Sequence, residues 1–304
     1  MITLEQLTSH IRGQGIVMDS ARKVTGYGSL RIRRPIDEHG HKVTDHFSGR
    51  LLAGARPVAF KPLFILFTNR CGSTYIGDLL RTTGQFNRAG EPLNWEMVVA
   101  RSEKHGYKSY AEYLLGFESK EYSRNGRFAL KASLGQYDFL RRTGLLDKMF
   151  PERHVIVAER ADKISQAVSW VIAVQTLRWT SKHKPDMTRH KSIEYDFESI
   201  RSYHDHASAE HRNIEAYLTL HDERYCRMLY EEVIEDPIGQ TAKAMRFLGL
   251  ENAPAIPEKV LLSRQSDAVN EEFRRRFIED LFERQSTPVN AAKRRARVSK
   301  TADG

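Results

Sequence analysis

From Thr68 to Thr74 the chain reads T-N-R-C-G-S-T. The apolar run KPLFILF (61–67) precedes it, and apolar residues at helical spacing (Ile76, Leu79, Leu80) follow it. These residue types in this order suit an anion. Gly72 lets the backbone approach a ligand, and the N–H groups that open a helix form a cradle for negative charge. Ser73 and Thr74 add hydroxyls, and Arg70 adds a fixed planar cation matched to phosphate or sulfate oxygens. The nucleotide-kinase loop G-x-x-x-x-G-K-[ST] fits poorly. With Gly72 as its second glycine, Phe67 falls on the first and Ser73 on the lysine, while the basic residue stands two places before Gly72. Phosphoryl transfer from ATP is therefore disfavoured. A Gly-Ser-Thr turn can also simply cap a helix, and the loop alone leaves that reading open.

Two further groups of residues carry chemistry. In GEPLNWE (90–96), Glu91 lies between Gly90 and Pro92, which places it on a turn. A carboxylate there can act as a general base or as a negative charge before a helix spanning 94–99. In ERADKISQAVSW (159–170), Arg160 ends a strand-like run, and Ser165 and Ser169 share one helical face. An Arg fork with a hydroxyl makes a compact phosphate site, against the alternative of an Arg160–Asp162 surface pair. Lys131 can face the reacting group or reach to solvent from a strand end. Tyr75, Tyr137, Trp95, Trp170 and Trp179 can stack a ligand or fill the core. His154 opens a strand and reads as structural.

The elements that must position these groups alternate along the chain. Strands are predicted at 61–67, 127–133, 154–159 and 224–230. Helices are predicted at 73–81, at 137–148, from Asp162 as N-cap to about Trp179, and from Asp236-Pro237 to about Gly249. Non-alternating apolar strands between helices imply an α/β, three-layer, P-loop-like domain around a central, mainly parallel sheet, with ligands at the carboxyl ends of its strands. Residues 1–58 read as an N-terminal extension with a helix at Thr3–Ile11, residues 59–285 as the main domain, and 286–304 as a basic, mobile tail. The basic stretch 182–191 reads as a surface loop.

Composition sets the outer bounds. The chain has 304 residues, 40% hydrophobic and 29% charged, which is ordinary for a soluble globular protein. Lys and Arg number 48 against 39 Asp and Glu, a formal +9 that points to an anionic partner. No apolar run approaches membrane-spanning length, and MITLEQLTSHIRGQG lacks a secretory pattern. Two cysteines, Cys71 and Cys226, give neither a disulfide framework nor metal spacing, so a soluble cytoplasmic protein is expected. On composition alone the alternative is a basic nucleic-acid-binding protein, whose affinity would be steeply salt-dependent and survive loss of Arg70.

The order strand, T-x-R-x-G-S-T, helix resembles the 5′-phosphosulfate loop of sulfotransferases. ILFTNRCGSTYIGDLL is similar to the opening motif of bacterial carbohydrate sulfotransferases, the trehalose sulfotransferase-like proteins related to Nod-factor and lipopolysaccharide sulfotransferases. Asn69-Arg70-Cys71 departs from their usual Pro-Arg-Ser or Pro-Arg-Thr. QTLRW (175–179) and YEEVIEDP (230–237) fit the same family.

The resemblance implies 3′-phosphoadenosine 5′-phosphosulfate (PAPS) as donor, 3′-phosphoadenosine 5′-phosphate (PAP) as product, and no metal. It implies Glu91 as the base, with Glu96 behind it, and Arg70, Cys71, Gly72, Ser73 and Thr74 around the 5′-phosphosulfate. Arg160 and Ser169, chosen over Ser165, would take the 3′-phosphate, with Arg264 from SRQSDAVNEEFRRRF (263–277). Arg274–Arg276 read as solvated helix surface. The acceptor implied is a carbohydrate or glycolipid rather than a nucleic acid; peripheral membrane contact and a homodimer stay open. An atypical P-loop kinase is the enzymatic alternative.

Overall fold

The computed structural model describes residues 38–119, 125–176, 178–179, 193–250, 253–260 and 268–301, with the side chains of the last helix given to residue 284. In chain order the elements are α1 (Glu38–His46), β1 (Lys61–Phe67), α2 (Ser73–Thr82), α3 (Trp95–His105), α4 (Tyr110–Leu115), β2 (Arg127–Ala132), α5 (Leu134–Arg142) and α6 (Leu145–Met149). There follow β3 (His154–Glu159), α7 (Lys163–Thr176), α8 (Phe197–Leu220), β4 (Tyr225–Leu229), α9 (Tyr230–Glu235), α10 (Pro237–Phe247) and α11 (Ala268–Thr301).

The four strands form one parallel sheet in the order β2-β1-β3-β4. Strand residues alternate between two buried faces, which is why their sequences are continuously apolar. Phe64, Leu66, Phe128, Leu130, Val155 and Val157 pack with residues of α4, α5, α6 and α8. On the opposite face Leu63, Ile65, Ala129, Ile156, Cys226 and Met228 pack with residues of α2, α9 and α10. The fold is the expected three-layer α/β domain with a central parallel sheet. A smaller cluster (Val168, Val171, Phe197, Ile200, Phe273 and Phe277) locks α7, α8 and α11 together.

The strand order sets where a ligand can sit. The chain leaves β1 towards β2 on one side, then leaves β3 towards β4 on the other. The crevice between the carboxyl ends of β1 and β3 is therefore the topological switch point, where such sheets bind ligands.

The structure adds detail at three places. The single helix predicted for 137–148 is two, α5 and α6, because Gly144 adopts φ 75° between them. Val43 and Phe47 of the N-terminal extension are buried in the main core, so the extension's last part packs as one body with the domain. Residues 286–301, within the stretch read as a basic, mobile tail, continue α11 to Thr301; their Ala, Arg and Lys favour helix. The helix expected at Thr3–Ile11 and the loop at 182–191 lie outside the described residues.

Candidate active site at the switch point

The loop after β1 turns through two left-handed residues, Arg70 at φ 64° and Gly72 at φ 89°. Glycine is required at 72 for a second reason. A Cβ there would lie 2.3 Å from the ring of Tyr230, the first residue after β4. Gly72 stands at the N-cap of α2 and has no side chain to cap it, while the Cys71 thiol accepts from the Ser73 N–H. Cys71 is turned inward. Its side chain is fully buried among α2 and β3 residues, its N–H donates to the Thr68 carbonyl, and burial pushes its thiol pKa up. Ser73 is largely buried, and Thr74 Oγ1 accepts from Lys131 Nζ at 3.0 Å.

Lys131 comes from the carboxyl end of β2, and it supplies an ammonium to a loop without a lysine. Its Nζ also donates to Glu91 Oε1 at 2.8 Å. Glu91 reaches this position because Gly90 pairs with the outer edge of β2, the Lys131 N–H donating to the Gly90 carbonyl at 2.7 Å. The other carboxylate oxygen, Oε2, accepts from Asn94 Nδ2 at 3.1 Å. Asn94 in turn accepts from Gln136, which belongs to the capping box that opens α5. Glu91 is on a turn, as expected, oriented by two hydrogen bonds and still one-third exposed. Glu96 lies in the first turn of α3, and no hydrogen bond or ion pair ties it to this group.

Across the crevice, Arg70 Nε donates to Ser169 Oγ at 3.0 Å and Arg70 Nη1 to the Trp179 carbonyl. Burial, and then the neighbouring Arg160, lower the Arg70 pKa. Two cations thus stand close enough at this end of the sheet to act on one another. Arg160 follows β3 and is mostly buried; its guanidinium lies 5.3 Å over the Tyr230 ring, its Nε is 3.9 Å from Glu231, and that Nε has no hydrogen-bond partner. Glu231 instead accepts from the N–H groups of Ala161 and Asp162, which fixes the turn behind Arg160.

The structure separates the two serines. Ser165 spends its hydroxyl on Asp162, the N-cap of α7, whereas Ser169 faces Arg70. Burial would push Asp162 up, but the Ser165 N–H and hydroxyl and Arg274 together hold its pKa down. Arg274 is thus not plain surface: its Nε lies 3.0 Å from Asp162, and Arg276 lies 4.0 Å over the Tyr195 ring. Of the three, Arg275 pairs on the surface with Glu279. Arg264 lies outside the described residues.

Tyr137 and Trp170 are core; Trp95 packs against the core, and Tyr75 meets Tyr230 edge-on. His154 opens β3 as a half-buried side chain against Phe247. Tyr230, Asn94 and Gln166 are site residues that reasoning from sequence missed. The first residue after a parallel strand, as Tyr230 is, was the available signal for one of them.

A helix start behind a glycine packed against the Tyr230 ring and a buried arginine Nε without a hydrogen-bond partner suit an anion. Part of the sequence matches a known family. Residues 138–280 match the model of a family described as Stf0 sulphotransferase. The match takes in Arg160, Gln166, Ser169 and Tyr230, and it begins after the 68–74 loop and Glu91. No protein in the curated comparison matches the sequence. A solved sulfotransferase from Alicyclobacillus acidocaldarius is similar at 16% identity and a TM-score of 0.41, over 77% of this chain and 97% of that one. By sequence, the stretch from α5 into α11 groups with the Stf0 sulphotransferases.

Proposed function

We propose that this protein transfers the sulfuryl group of PAPS to a hydroxyl of a carbohydrate or glycolipid acceptor, with Glu91 as general base. The observation that carries this reading is the meeting of Arg70 with Ser169, beside Arg160, at the β1/β3 switch point, with a carboxylate tied to the same loop through Lys131.

The donor, when bound, supplies a sulfuryl group already activated by its phosphate leaving group. The rest of the chemistry falls to the chain. Arg160 and Ser169 would hold the 3′-phosphate. Arg70, the first amides of α2 and Thr74 would hold the phosphosulfate end and balance charge that grows on the departing phosphate. Glu91 would take the acceptor's proton. Lys131 lies between Glu91 and Thr74, one hydrogen bond from each, so base and donor loop keep a fixed separation. Among the described residues no helix is long and apolar enough to cross a membrane.

The test is transfer of label from [³⁵S]PAPS onto pools of host glycan and glycolipid. Wild type should label a fraction that Glu91→Ala leaves unlabelled. Labelling from [γ-³²P]ATP instead, with none from PAPS, would replace this reading by the kinase.

A further inference from the structure

Gln166 is fully buried in the second turn of α7, yet its side chain is polar. Its Nε2 donates two hydrogen bonds of 2.7 Å, to Thr68 Oγ1 and to the Asn69 carbonyl. A carbonyl can only accept, so the amide nitrogen must face the loop and the orientation of the group is fixed. Gln166 Oε1 is buried without a hydrogen-bond partner, so the side chain accepts a desolvation cost in order to present its nitrogen. The carbonyl it holds belongs to the peptide that joins Asn69 to Arg70, and Arg70 is the non-glycine residue with φ 64°. Left-handed backbone at a residue with a side chain persists only where its surroundings hold it.

Ser169 lies three residues further along the same helix face and accepts from Arg70 Nε. One face of α7 therefore holds both the backbone and the side chain of the loop arginine. We propose that Gln166 is a positioning residue for the donor: it locks the Asn69–Arg70 peptide so that Arg70 and the start of α2 face one end of the nucleotide while Arg160 and Ser169 face the other. This assignment rests on the proposed function, since it names PAPS and PAP as the ligands positioned. Gln166 touches neither of them; it acts through Arg70.

The test is calorimetric titration of the full chain with PAP. Gln166→Leu keeps the volume and removes both donors. It should weaken PAP about tenfold, the loss of two buried hydrogen bonds. In an Arg70→Ala background the same substitution should cost less than about twofold, since its effect passes through Arg70. Gln166→Glu gives a second readout: relative to wild type, its PAP affinity should recover as pH falls and the carboxyl regains a proton to donate. Equal PAP affinity in wild type and folded Gln166→Leu overturns the assignment, and so does full additivity with Arg70→Ala. Should Gln166→Leu not fold, a Gln166→Glu whose affinity relative to wild type is flat with pH overturns it as well. Wild type that binds no PAP overturns the sulfotransferase reading itself, an outcome distinct from a wild type that binds while the variants bind equally.

Discussion

At the amino edge of the sheet, Arg153 lies against Glu223 and Asp147, and Arg141 against Glu223. At the carboxyl edge, Arg70 and Arg160 lie near each other, a serine hydroxyl, a backbone carbonyl and a tyrosine ring, with Glu231 at 3.9 Å from Arg160. Both pairs are largely buried, but their environments have opposite electrostatic effects. Burial would lower the Arg153 pKa, yet the Glu223 carboxylate and the Tyr137 hydroxyl hold it above the usual value. Burial and a like charge depress Arg70. A buried cation matched by carboxylates is part of the scaffold. At the carboxyl edge the carboxylate nearest Arg160 stands further off, at 3.9 Å, and Arg70 is held by a serine hydroxyl and a backbone carbonyl. The helix starts repeat the contrast: α5 is closed by the Ser133–Gln136 capping box, and α2 opens on Gly72 with no side-chain cap.

If this contrast is sound, substitutions at the two edges separate into effects on turnover, on donor affinity and on stability. The largest effect should follow Glu91→Ala: turnover falls about 10²-fold or more while PAP affinity stays near wild type, measured by single-turnover kinetics beside calorimetry. Arg160→Ala should weaken PAP by about 30-fold, as expected for removing a charged hydrogen-bonding partner, with little change in melting temperature. Arg153→Ala should do the reverse, lowering stability by about 3 kcal/mol in denaturant titrations and leaving PAP affinity unchanged. A donor-affinity loss in Arg153→Ala, or a large stability loss in Arg160→Ala, would break the contrast.

Gly72→Ala tests the helix start. The added Cβ combines a left-handed backbone with a contact 2.3 Å from the Tyr230 ring, so PAP affinity should fall about tenfold. Adding Tyr230→Ala should restore part of that loss, which calorimetry on the double variant would register.

The smallest effect concerns pH. Burial, and then Lys61 and Arg224, hold the His154 pKa below its usual value, so the folded protein binds fewer protons there than the unfolded chain. Stability should therefore decline as pH drops below about 6.5, where the unfolded histidine takes its proton. His154→Gln should flatten that part of a melting-temperature profile, with an amplitude well below the Arg153→Ala effect. A profile that keeps its slope in His154→Gln removes this residue from the account.

Much of this was legible in the sequence because it is local. The runs at 61–67 and 154–159 match β1 and β3 to the residue, and Asp162 and Asp236 cap α7 and α10 as their sequence context implies. The loop motif carries its own turn chemistry. What the sequence withheld depends on contacts between distant segments. Glu91 finds Lys131 only because Gly90 joins the edge of β2, and Gly72 requires space only because Tyr230 follows β4. Gln166 stands in an ordinary amphipathic helix, and nothing in its neighbours announces that it reaches back to Asn69. Arg274 looked like one of three solvated arginines until α11 packed beside the start of α7.

The most direct test of the central claim is titration of wild type and Arg70→Ala with PAP in the presence of a chelator. Wild type should bind one PAP per chain at about micromolar affinity, and the variant should lose about tenfold or more, a charged contact removed from a buried anion site. Wild type that ignores PAP, or an Arg70→Ala protein that binds it equally well, would contradict the account.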